Sequence, residues 1–166
     1  MKRVGLLFSL LLLVSSTAVS QSALRKINLT IDGIGAGSPY ADVLRKFGVP
    51  SKQNIERGPG DLSCAGMAWS TLTADYPGLQ VVLLGNAQAQ GFKVVKMMIT
   101  SKKWLASGLR IGASAADVEK KFGKPDSTNE GDKLIYEYVT EDNPGGVSFQ
   151  FAKGKLLSIS IKETLC

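Results

Sequence analysis

One stretch of this chain is written twice, and that constrains the fold more than any other feature. Gly33-Ile34-Gly35-Ala36-Gly37-Ser38-Pro39-Tyr40-Ala41-Asp42-Val43-Leu44-Arg45-Lys46-Phe47-Gly48-Val49-Pro50 recurs 75 residues later as Gly108-Leu109-Arg110-Ile111-Gly112-Ala113-Ser114-Ala115-Ala116-Asp117-Val118-Glu119-Lys120-Lys121-Phe122-Gly123-Lys124-Pro125. Nine of the eighteen aligned positions are identical, without a gap. Self-similarity of this kind points to one supersecondary unit used again. The expected boundaries of the two units are 23–101 and 102–166.

Both copies encode the same short helix. In the second, Ser114 caps the N-terminus and Asp117 follows three residues later, a variant of the capping box. In the first, Ser38 caps and Pro39 suits the first turn, where its missing N–H costs nothing. Val43 and Phe47 lie four apart on one helical face, as do Val118 and Phe122, so that face packs on a core. Gly48 and Gly123 supply the left-handed residue that ends a helix, and Pro50 and Pro125 prevent its continuation.

After each helix the hydrophobic period changes from 3.6 to 2. Leu134, Tyr136 and Tyr138 alternate with Ile135, Glu137 and Val139; Val147, Phe149 and Phe151 with Ser148, Gln150 and Ala152; Leu157, Ile159 and Ile161 with Ser158, Ser160 and Lys162. Asn143 to Gly146 and Lys153-Gly154-Lys155 are the turns of a three-strand meander. The first unit repeats the pattern with strands over Met67 to Thr73, Leu79 to Leu84 and Phe92 to Thr100. Arg25 to Asp32 adds a possible initial strand, with Ile27, Leu29 and Ile31 on one face. The fold class that follows is α+β: two tandem helix-plus-antiparallel-meander repeats sharing one sheet of about six to eight strands, with the helices on one face.

The N-terminus reads as an export signal. Lys2 and Arg3 precede the apolar run Val4 to Val14, and small residues lead to cleavage after Ser20, giving residues 1–20 as the signal peptide. The run is half what a bilayer span needs, and no cysteine stands near the cleavage site to carry lipid, so a released periplasmic or secreted product is expected. In that oxidising setting Cys64 and Cys166 invite a disulfide; two free thiols, or pairing with another chain, are the alternatives. Without Lys2 and Arg3, 18 basic residues face 14 acidic ones, a net charge of about +4. That mild excess suits an anionic envelope surface or simply a solvated exterior.

Catalytic inventory is thin. The chain has no histidine, which removes the commonest general base, the Ser-His-Asp arrangement and nearly every catalytic zinc site. Asp42 and Asp117 occupy equivalent positions and form the one obvious carboxylate pair, but first-turn capping and the helix dipole account for both. Gly33-x-Gly35-x-Gly37 lacks the spacing and parallel context of a nucleotide loop, and Arg110 replaces the middle glycine in the second copy. No catalytic residue, cofactor, metal or nucleic-acid partner is expected. Trp69, Tyr76, Trp104, Tyr136 and Tyr138 are the candidate partner-binding aromatics, with core packing as the alternative for each. Trp104, between the units, is placed to pack them together.

The helix motif, best seen in Gly112 to Pro125 with Gly37 to Pro50 as its weaker echo, resembles a superfamily of exported bacterial domains. It takes in the β-lactamase inhibitor proteins and the SmpA/OmlA outer-membrane assembly lipoproteins. The tandem arrangement over nearly the whole mature chain is more similar to the inhibitor branch. That resemblance implies a concave sheet holding a protein partner. The SmpA/OmlA branch carries a single unit and a lipidated cysteine, which this chain lacks, and the inhibitor branch has more disulfides and a more aromatic face. The shared motif consists of caps, core residues and helix stops, so it transfers no binding residue. The expected function is an exported, non-catalytic protein-binding module of inhibitor type, without a stable membrane anchor. A structural envelope or outer-membrane assembly accessory is the alternative, followed by a carboxylate-dependent hydrolase.

Overall fold

Period-two alternation needs partners on both edges of most strands, and the chain supplies them within one sheet. A computed structural model describes Ile27 and residues 29–58, 69–139 and 146–162. The expected signal segment, Cys64 and Cys166, Met67 and most of the turn from Asn143 lie outside these residues. In chain order the elements are α1 (Tyr40–Phe47), β1 (Lys52–Arg57), β2 (Trp69–Tyr76), β3 (Leu79–Asn86), β4 (Lys93–Ile99), α2 (Ala115–Phe122), β5 (Ser127–Glu130), β6 (Leu134–Tyr138), β7 (Val147–Ala152) and β8 (Lys155–Lys162). The eight strands form one open antiparallel sheet in the order β1-β2-β3-β4-β8-β7-β6-β5.

Each helix is followed by four strands where the residue pattern predicts three. The extra strands, β1 and β5, are exposed along their whole length and form the two edges. Lys-Gln-Asn-Ile-Glu-Arg and Ser-Thr-Asn-Glu carry no alternation because neither face of an edge strand here is buried. Charges on such an edge discourage pairing with another chain. Of the expected initial strand, Arg25, Lys26 and Asn28 lie outside the described residues, and the described part is corrected. Leu29 and Ile31 are buried, but Ile31 makes only isolated bridges, to Ile34 and Ala106. Asp32-Gly33 and Ser107-Gly108 all have positive φ, so Ile31–Ile34 and Ala106–Leu109 close as tight turns, which glycine at the second position permits. The two turns bond to each other through Asp32 N–H to Leu105 O (3.0 Å) and Ser107 N–H to Thr30 O (2.8 Å).

Helix α2 starts as its sequence requires. The Ser114 hydroxyl accepts from Asp117 N–H (3.1 Å) and Asp117 accepts from Ser114 N–H (2.8 Å), completing the capping box. Helix α1 differs from expectation. Pro39 is its cap residue and makes no side-chain bond, while the Ser38 hydroxyl accepts from Gly35 N–H instead. Both helices end on glycine with φ near +80° but with ψ −164° at Gly48 and −168° at Gly123, an extended mirror-image conformation in place of the left-handed helical one. The helix starts are tied to the two central strands: Val94 N–H reaches Ser38 O at 2.9 Å, and Leu156 N–H reaches Ala113 O at 2.8 Å.

Strand registers show which side the helices cover. One row of cross-strand neighbours runs Tyr76, Leu79, Ile99, Ile159, Phe149, Tyr136, and a second, two residues along, runs Ala74, Val81, Met97, Ile161, Val147, Tyr138. Residues two apart on a strand share a face. Phe47 of α1 packs edge-on against Tyr76 (5.8 Å between centroids), and Phe122 of α2 meets Phe149 (5.4 Å) and Tyr138 (6.0 Å). Both helices therefore lie on the same side, and between helices and sheet sits one core that includes Val43, Val118, Leu72, Phe149 and Phe151.

Candidate functional site

The row between those two core rows points the other way. It runs unbroken across all eight strands as Lys52, Asp75, Gln80, Met98, Ser160, Ser148, Glu137, Ser127. A neighbouring row on the same face runs Asn54, Thr73, Val82, Lys96, Lys162. Among the described residues, no helix or strand lies over this face. Its composition is that of a wettable surface: hydroxyls, amides and opposite charges, with Met98 37% exposed at the centre. Side-chain bonds already order its flanks. Gln80 Nε2 donates to Asp75 Oδ1 at 3.0 Å, Ser127 Oγ donates to Glu137 at 2.9 Å, and Ser158 Oγ donates to Gln150 at 3.2 Å. Where β6, β7 and β8 meet, Glu137, Ser148, Ser160 and Lys162 help to line a cavity of about 320 Å³.

The candidate aromatics divide between the two faces. Tyr76, Trp104 and Tyr138 are buried, and each polar tip is used inside. Tyr76 Oη donates to Gly48 O (3.1 Å) and Tyr138 Oη to Gly123 O (2.9 Å), so each tyrosine latches the end of a helix to the sheet. Burial, with Tyr40 nearby, pushes the Tyr76 phenol up to about 12. Trp104 packs on Phe47 and Tyr76, and its Nε1–H donates to Pro77 O (3.0 Å), so its ring fastens onto the α1 side. Tyr136 also faces the helices, donating to Glu119 of α2 at 2.7 Å, and that carboxylate acceptor raises its pKa. Trp69 alone of the five stands on the open face, half-buried opposite Asn86, with its Nε1 shielded from solvent and lacking a hydrogen-bond acceptor among the described residues.

The carboxylate pair does not converge. Asp42 is held by Arg45 at 2.8 Å on α1, over the β2 side of the core. Asp117 is consumed by its capping box on α2, over β6 and β7, and the Ser114 hydroxyl and then the Ser114 N–H hold its carboxyl below the ordinary value. Among the described residues no three Cys, Asp or Glu side chains cluster as metal ligands, and no helix is long and apolar enough to cross a membrane.

Sequence periodicity already places Ser148, Gln150, Ser158, Ser160 and Lys162 opposite the core. It does not reveal that Ser148 stands beside Ser160, or Lys96 beside Lys162, because strand order and register decide that. Lys96 is further hidden within an otherwise apolar stretch, Val94 to Ile99.

No protein-family model and no curated protein matches this chain. Among solved structures, an extracellular protein containing an SCP domain from Bacillus anthracis is similar over 77% of this chain at 15% identity, with a TM-score of 0.49. This chain spans 44% of that protein. A structure described as a candidate β-lactamase inhibitor protein from Streptococcus mutans is similar over 75% of this chain and 80% of its own, at 17% identity and a TM-score of 0.28. Both scores lie below one half, so neither likeness bears on what this chain does.

Proposed function

We propose that this chain is an exported, non-catalytic protein-binding module of inhibitor type, and that the helix-free face of its sheet receives the partner. The observation that carries the reading is the one-sided packing of both helices, which leaves the rows from Lys52 to Ser127 and from Asn54 to Lys162 with no described element above them. Such a face offers hydrogen-bonding groups and charges on a rigid scaffold, which gives specificity and fast association. Met98 supplies exposed apolar contact at the centre of such an interface, with the half-buried Trp69 at its margin, at the start of β2.

The nine identities between Gly33–Pro50 and Gly108–Pro125, together with the mirrored strand order, support a duplicated unit as its origin. Equivalent tyrosine latches at Gly48 and Gly123 agree with this. With Asp42 paired to Arg45 on α1 instead of capping that helix, and Asp117 in the capping box of α2, a carboxylate-dependent hydrolase has no converging pair.

The test is capture from a bacterial envelope extract with immobilised wild-type protein and with a Ser148→Arg/Ser160→Arg variant. A protein retained by the wild type and lost at least about tenfold by the open-face variant, but retained by Lys103→Ala on the helix side, supports the reading. Equal retention by all three removes the open face from it.

A further inference from the structure

At the centre of the open face two lysines stand side by side. Lys96 of β4 and Lys162 of β8 are direct cross-strand neighbours. Directly opposed side chains have Cβ atoms about 4.5–5.5 Å apart, and like charges so placed repel. Neither of these lysines makes an ion pair with a described residue; Asp42, for one, is held by Arg45 on α1. Among the described residues, the nearest carboxylates of the face, Asp75 and Glu137, are each two strands away on opposite sides, roughly 10–12 Å from the closer lysine by strand spacing, beyond the screening length in physiological salt. Both are also engaged locally, by Gln80 and by Ser127. Among the described residues the result is a central double positive charge flanked by a single negative one on each side.

We propose that Lys96 and Lys162, with the Ser160 hydroxyl, form a receptor for a carboxylate side chain, Asp or Glu, presented by the protein partner. This deepens the protein-binding reading and rests on it. The donor set fits a carboxylate: two ammonium groups and a hydroxyl can serve its two oxygens. The backbone N–H groups of β4 and β8 are committed to the ladder there, so the site has no backbone anion nest to favour a phosphate. Met98, the neighbour of Ser160 across the strands, gives the methylene stem of the incoming residue an apolar surface. The cavity lined by Ser148, Ser160 and Lys162 leaves room for the residues beside it. A purely structural role, in which the lysine stems cover Val82 and Met98 while the charges stay in water, predicts no anion selectivity.

The probe is a blocked peptide, Gly-Ser-Glu-Glu-Ser-Gly, with the Gln-Gln peptide as control, titrated into isotope-labelled full-length mature protein and followed by backbone amide shifts. The expected result is a saturable response at Lys96, Met98, Ser160 and Lys162 with a Kd on the order of 1 mM, absent with the control peptide and about tenfold weaker in Lys96→Met/Lys162→Met. The single variant Lys162→Gln serves if the double variant loses its native spectrum. Shifts confined to the helix-side bases Lys102, Lys103 and Lys121, or no saturable shift at all, overturn the proposal. Such a failure leaves the protein-binding reading standing, because that depends on capture by the whole face. Equal capture by wild type and the open-face variant, with an intact peptide response, sinks that reading and leaves the two lysines as a carboxylate site alone.

Discussion

Replacing Gly48 by alanine isolates the backbone cost of the α1 stop. Gly48 has φ 80° and ψ −164°, a region that side-chain-bearing residues scarcely enter, yet a Cβ built there meets nothing within 4 Å. Any loss is therefore conformational and not steric, and such strain costs about 1–3 kcal/mol. For a domain of this size that amounts to a fall of about 2–12 °C in Tm. Two hydrogen bonds oppose relaxation: Gly48 N–H to Leu44 O (2.9 Å) and Tyr76 Oη to Gly48 O (3.1 Å). If the chain escapes strain by swinging the Gly48 carbonyl away, the Tyr76 bond is lost with it. Tyr76→Phe alone then costs about 1 kcal/mol, but much less in the Gly48→Ala background, a coupling that a double-mutant cycle in urea reads directly. Gly131→Ala is the control, since Gly131 is exposed without positive φ and has open space around it; it should be neutral or stabilise by up to about 1 kcal/mol. A Gly48→Ala protein as stable as the Gly131→Ala protein would refute the reasoning.

Other outcomes follow from the same contacts. Phe149→Ala should cost about 3–5 kcal/mol, because its ring is fully buried against Phe122 and Tyr138, whereas the adjacent Ser148→Ala should stay within about 0.5 kcal/mol; similar costs in chemical denaturation would mean the faces are misassigned. Because the Asp117 carboxyl is depressed in the folded chain, its contribution is present above the unfolded carboxylate value and is lost as pH falls through the folded one. The stability gap between wild type and Asp117→Asn should therefore close on acidification, and a gap independent of pH would contradict the capping box. Tyr76 behaves in the opposite sense. Its phenol is raised to about 12, so its contribution is complete below the unfolded value of 10.0 and is lost as pH rises through about 12. Tyr76→Phe should lose less stability than wild type over that alkaline interval in thermal melts, and identical alkaline limbs would count against the latch.

Legibility differed by element. The helices were readable almost to the residue, because caps, an i, i+4 apolar pair and a terminal glycine are local signals; even so, Ser38 turned out to bond Gly35 and not the helix. The inner strands were readable from alternation, with ends displaced by one to a few residues at Tyr76, Asn86 and Lys155, except that Leu157 is exposed and Leu156 takes the core position, because the β7–β8 register shifts between Gln150 and Phe151. Strands β1 and β5 were invisible, since an edge strand exposed along its length carries no hydrophobic period. Among the aromatics, residue type could not separate Trp69 from Tyr76: both sit on β2, at opposite ends and of opposite parity, and only the covering helix makes one face interior.

By itself the sequence determined the local events: two helices with their stops, alternating strands, and which residues on each strand are apolar. These depend on interactions within a few residues, which the order of side chains encodes directly. The tertiary structure alone decided that β4 meets β8, that both helices take the same side, and that Lys96 comes to rest beside Lys162. Those outcomes depend on pairing between segments far apart in the chain, where register and shared burial choose among partners that no local pattern distinguishes.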